Sequence, residues 1–135
     1  MTEFTIFTDG ASRGNPGLSS TGLVIKTNGE TIYTGGSFLG VATNNIAEYT
    51  AIIEALQKAQ ELSKDVGETN INFRLDSKLA VEQLSGRYKI KHPNLKILSS
   101  KVKTLESLFL KVTYTHVPRE QNHEADAQAN LVLDK

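Results

Sequence analysis

Residues 4–9 read Phe4-Thr5-Ile6-Phe7-Thr8-Asp9, with apolar side chains at both parities of an extended chain. That pattern describes a strand covered on both faces, hence a central one, and yet it closes on a carboxylate. Directly after it comes Gly10-Ala11-Ser12-Arg13-Gly14-Asn15-Pro16-Gly17, a run of turn formers expected to leave the sheet as a loop. Outward from there, Thr21–Lys26 and Thr31–Leu39 alternate as strands around Asn28-Gly29. Both residues of that pair accept positive φ, so the first three strands form an antiparallel meander.

The period then changes. Tyr49, Ile52, Ile53, Leu56, Ala59 and Leu62 recur at helical spacing behind Thr43 or Asn44 as cap, which predicts a helix to about Lys64. Ile71, Phe73 and Leu75 give a fourth strand ending at Asp76, and Ser77 caps a short helix through Leu84 that stops near Gly86. Pro93-Asn94 open a helix over about Leu95–Leu108, Val112–Val117 is a fifth strand, and Asn122 is placed to cap a last helix to Leu133. The expected order is βββαβααβα: an α/β fold with a five-stranded mixed sheet flanked by helices.

With 135 residues the chain is expected to form a single domain, 1–135, and its 39% hydrophobic and 22% charged residues are ordinary for a globular protein. There is no cysteine, which excludes disulfides, thiolate zinc sites and a cysteine nucleophile. No apolar run approaches the ~20 residues of a membrane span and the start does not read as a signal peptide, so a cytoplasmic protein is the expectation. Net charge is zero, but between Ser85 and Arg119 eight basic residues face one acid, Glu106. On charge alone that excess is a solvated face, or a weak attraction for a polyanion.

Four acids sit where a core should be. Asp9 and Asp76 end strands; Glu48 shares a helix face with Ile52, Ala55 and Ala59; Asp126 shares one with Ala129 and Leu133. Each alone reads as a cap or turn residue. Together they converge on one sheet edge, where unpaired carboxylates must be neutralised or balanced. Oxygen donors without a soft ligand suit Mg²⁺ or Mn²⁺. Two such ions about 4 Å apart support in-line displacement at phosphorus.

Thr8-Asp9-Gly10 through Gly17, Thr43-Asn44-Asn45-Ile46-Ala47-Glu48, Leu75-Asp76-Ser77 and Asn122-His123-Glu124-Ala125-Asp126 together resemble type-1 ribonuclease H, over essentially the whole chain. The resemblance implies a ribonuclease H-like fold and an endonuclease that cuts the RNA strand of an RNA–DNA hybrid, leaving 3′-hydroxyl and 5′-phosphate ends. It implies that Asp9, Glu48, Asp76 and Asp126 hold two Mg²⁺ ions, with Mn²⁺ as a substitute. It implies that Asn44 and Asn45 read the minor groove, that Asn15 and Thr43 hold a DNA-strand phosphate, and that Gly10 and Ser12 in the expected loop face nucleic acid. Lys78 stands where many members carry an amide residue, and Lys89 and Lys91 in the short linker after Gly86 are expected to meet the DNA strand. The segment Tyr114–Asn122 is compact, resembling the short archaeal and bacterial branch that lacks a basic protrusion. Arg119 is expected as its auxiliary catalytic residue, with His116 a strand residue of no catalytic role. The implied enzyme is a monomer with no obligate protein partner. The residue-level alternatives are a related nuclease or integrase of the same fold, and a binding module that grips hybrids without cutting.

Overall fold

A computed structural model describes residues 1–135. The elements are β1 Thr2–Gly14, β2 Gly17–Thr27, β3 Glu30–Gly35, β4 Phe38–Ala42, α1 Asn44–Leu62, β5 Thr69–Leu75, α2 Lys78–Leu84, α3 Pro93–Glu106, β6 Lys111–His116 and α4 His123–Leu133. Short 3₁₀ turns precede β5 and α4. The sheet runs β3-β2-β1-β5-β6, antiparallel up to β1 and parallel from β1 to β6, with β4 also paired to β2.

Two expectations about the meander are corrected. The stretch after Asp9 is not a loop: β1 continues through Gly14, paired residue for residue with β2 from Gly10↔Thr21 to Gly14↔Gly17. The turn shrinks to Asn15-Pro16, joined by a cis peptide bond. Gly10 serves close packing rather than turning: a Cβ there would lie 2.4 Å from the backbone of Ala47 and Glu48. The third expected strand is two, because the chain breaks at Gly36-Ser37 and gives the sheet six strands instead of five. Thr21 and Ser37 both donate to the Glu54 carboxylate, so α1 pins that break from above. The Asn28-Gly29 hairpin forms as read, with φ of 51° and 80°.

The main core lies between the sheet and α1, α2 and α3. Phe4, Ile6, Leu23, Ile25, Ile71, Phe73 and Leu75 meet Tyr49, Ile52, Leu56, Leu84 and Val102 in one continuous cluster. Dense packing of this kind is the dominant stabilising contribution. The opposite face is covered mainly over β1 and β2, by α4 through Ala125 and Ala129. Phe7 is consequently half-buried rather than enclosed, with Lys26 Nζ 5.5 Å from its ring centre. Thr43 Oγ1 accepts from the Ile46 N–H at 3.2 Å and Ser77 Oγ from the Ala80 N–H at 3.2 Å, so both caps form. Asn122 does not cap α4; its side chain is used elsewhere. No helix is long and apolar enough to cross a membrane.

Candidate active site

β1 pairs with β5 from Thr2 to Phe7 and then outruns it, so Thr8 and Asp9 border a notch in the sheet. Asn122 fills the back of that notch. It is 1% exposed, and its Nδ2 donates to the Thr8 carbonyl at 2.9 Å and to Asp76 Oδ2 at 3.3 Å. One buried amide thereby ties β1, the end of β5 and the start of α4 together, and it orients Asp76 as it does so.

The acids come from four elements. Asp9 is buried in β1, Glu48 descends from the second turn of α1, Asp76 follows β5, and Asp126 lies in the first turn of α4. One carboxylate oxygen from each of Asp9, Glu48 and Asp76 lies within 4.8 Å of the others. Asp126 stands close to Asp9 and lines the same groove. None of the four forms an ion pair with a lysine or arginine. The consequence is electrostatic. The Asp9 carboxyl is pushed up from 3.8 to about 8, first by burial, then by the charge of Asp76 and by Asp126, with Arg119 pulling the other way. Glu48 is held well above the usual carboxylate range by burial and by Asp9 and Asp76, opposed by the N–H of Gly10. Such a cluster favours protons or a hard cation. An all-oxygen donor set that no ion pair neutralises fits Mg²⁺ or Mn²⁺.

The acids open into a groove of about 550 Å³ lined by Gly10, Ser12, Asn44, Asn45 and Arg119 among others. Asn44 and Asn45 begin α1 and project their exposed amides at its rim. Asn15 Oδ1 accepts from the Asn44 N–H at 3.1 Å, and Thr43 caps the same helix. Ser12 and Ser19 both donate to the Ala42 carbonyl, at 3.2 and 3.0 Å, which fixes the approach to that helix from β4. Arg119 opens the 3₁₀ turn before α4 and lines the groove. His116 ends β6 and does not line it. Lys78, Lys89 and Lys91 are exposed and lie outside the groove. Sequence reasoning missed Arg13, Ser77 and Asn130, which line it. Arg13 was legible in principle, being four residues after Asp9 on the same side of a strand, but only once the expected loop is known to be a strand.

A family model described as "Reverse transcriptase-like" matches residues 7–132. The chain is 43% identical over 128 residues to "Bifunctional protein Rv2228c" of Mycobacterium tuberculosis, covering 93% of this chain and 34% of that protein. The solved N-terminal RNase H domain of that relative superposes with a TM-score of 0.91 at 40% identity, over 99% of this chain and 95% of the solved one. "Ribonuclease HI" of Halobacterium salinarum is 42% identical over 127 residues, covering 93% of this chain and 62% of that protein. Its crystal structure matches with a TM-score of 0.92 at 40% identity, over 98% of both chains. LC11-RNase H1, solved in complex with an RNA/DNA hybrid, matches with a TM-score of 0.92 at 36% identity over 97% of this chain and 96% of that one. The chain thus spans about a third of the mycobacterial relative and 62% of the halobacterial one.

Proposed function

The chain belongs to the type-1 ribonuclease H family, and we propose that it hydrolyses the RNA strand of RNA–DNA hybrids, leaving 3′-hydroxyl and 5′-phosphate ends. The observation that carries this reading is the set of Asp9, Glu48 and Asp76, with carboxylate oxygens within 4.8 Å of one another and no ion pair, opening beside Asn44 and Asn45. Solved relatives named RNase H1, one of them holding an RNA/DNA hybrid, support it.

Asp9, Glu48, Asp76 and Asp126 are the residues that would hold two Mg²⁺ ions, or Mn²⁺ in their place. When bound, the metals supply activation of the attacking water and stabilisation of the leaving oxygen. The chain's own groups do the rest. Asn122 fixes the orientation of Asp76. Asn44 and Asn45 each present an amide donor and acceptor, the chemistry needed to meet 2′-hydroxyls and base edges in the wide minor groove of a hybrid. Asn15 and Thr43 each use an oxygen to set the helix start and keep a donor for a DNA-strand phosphate. Arg119 is a permanent cation at the groove, suited to charge on the reacting phosphate and unable to act as a base. Ser12 and Gly10 hold the rim, while Lys78, Lys89 and Lys91 lie further out as contacts to the duplex backbone. The chain acts in the cytoplasm as a monomer in this reading.

The test is cleavage of a duplex with one labelled RNA strand, paired with DNA or with RNA, with and without Mg²⁺ or Mn²⁺. Metal-dependent cutting of the hybrid, abolished in Asp9→Asn, is expected. A folded protein that cuts neither duplex with either metal refutes the enzyme and leaves a binding module.

A further inference from the structure

Beyond the acids the groove holds two cations, Arg119 beside Asp9 and Arg13 at the other end. Arg13 sits four residues after Asp9, so it lies about 13 Å along β1 on the same side of the strand. It does not close the groove. A second concavity of about 440 Å³, lined by Leu18, Phe38, Val132 and Leu133, begins at the same arginine. Arg13 therefore lines both depressions and forms the sill between them. Its guanidinium pairs with Asp134, the residue that caps the C-terminus of α4. Side-chain exposures of 49% and 61% make this a solvated pair, which contributes little to stability and yields readily to a better anion.

We propose that Arg13 binds a backbone phosphate of the substrate where it leaves the carboxylate groove, and that Asp134 competes for the same guanidinium. The inference rests on the hybrid-nuclease reading above. A guanidinium offers phosphate a bidentate fork of donors, and a cation at this end of an acid-lined groove is suited to receive one. Asp134 occupies the guanidinium in the free protein. The incoming phosphate replaces one carboxylate partner by another anion, and Asp134 returns to water.

The experiment measures KM and kcat for hybrid cleavage in Mg²⁺ across a salt series, with binding of the same labelled hybrid followed by anisotropy in Ca²⁺. Arg13→Ala is expected to raise KM about 3- to 10-fold with kcat within about twofold, and to lower the slope of log affinity against log salt by about one, the signature of one lost phosphate contact. Arg13→Lys should restore part of the affinity. Asp134→Asn should act oppositely and lower KM, because it removes the competitor. If the pair is merely a staple between the hairpin and α4, both variants weaken binding alike and the salt slope does not move; that result overturns the proposal. A wild type that cuts hybrids while Arg13→Ala keeps the full slope refutes only this contact. A wild type that neither binds nor cuts refutes the underlying reading as well.

Discussion

Asp9→Asn tests the electrostatics of the acid cluster separately from its chemistry. In the unfolded chain Asp9 ionises near 3.8, whereas in the folded protein it holds its proton to about 8. The folded state therefore binds more protons between those values, and stability falls as pH rises through that window. Below about pH 4 both states are protonated and the effect vanishes. At 1.36 kcal/mol per unit, the ceiling at pH 7 is roughly 4 kcal/mol. The Asp9 carboxyl is coupled to a neighbouring acid, so substitution at this one position recovers only part of it, on the order of 2 kcal/mol. Asparagine keeps the shape of the protonated acid and carries no charge. The variant, dead as an enzyme, should melt about 8 °C higher than wild type at neutral pH in EDTA. That gain should shrink to nothing near pH 4. Saturating Mg²⁺, at about a hundred times its Kd, should stabilise wild type by about 2.7 kcal/mol and the variant by less. Melting curves followed by circular dichroism across pH, with EDTA or Mg²⁺, give every quantity. An Asp9→Asn protein less stable than wild type, or one whose gain does not change with pH, refutes the reasoning.

Further outcomes follow from particular contacts. Arg119→Ala should lower kcat/KM about 10- to 100-fold with little pH dependence, because a charge is lost rather than a titrating base, while His116→Ala stays within about twofold; steady-state cleavage separates them. Asn122→Ala strips a buried donor from Thr8 and Asp76 and should cost about 1–3 kcal/mol in urea unfolding, with weaker Mg²⁺ binding by calorimetry. Gly10→Ala sets a methyl group 2.4 Å from the α1 backbone, so it should destabilise by about 1–3 kcal/mol and reduce cleavage by displacing Glu48. A normal melting temperature in that variant would contradict the packing described.

Much of the fold was legible because its signals are local. The period of α1, the caps Thr43 and Ser77, and the Asn28-Gly29 turn depend on neighbours in sequence, and all form. What misled was context. Gly10 to Gly14 carry turn formers, yet pairing with β2 outweighs local preference, and Gly10 answers the closeness of α1 rather than a bend. Asn122 precedes a helix and so reads as its cap, whereas the sheet notch that claims its amide is made by Thr8 and Asp76, 114 and 46 positions away. The acids were found because a carboxylate in an apolar pattern is conspicuous, and the structure brings Asp9, Glu48 and Asp76 together. Arg13 was not, because nothing in its neighbourhood marks an arginine in a glycine-rich run as part of a groove.

The seat of α4 has a consequence for how the site tolerates change. Its backbone lies directly on β2: a Cβ at Gly22 would stand 2.1 Å from the Ala125 carbonyl oxygen, and Ser20 Oγ donates to the Ala129 carbonyl at 2.6 Å. No interdigitated side chains separate the two there, so no drift in core volume changes their spacing. Glu48 is seated in the same way from the other face, where the backbone of Ala47 and Glu48 lies against Gly10. Both helix-borne ends of the acid cluster are thus set against neighbouring strands by positions with no side chain. The apolar layer further along α1 is free to diversify as long as Gly10 and Gly22 are kept.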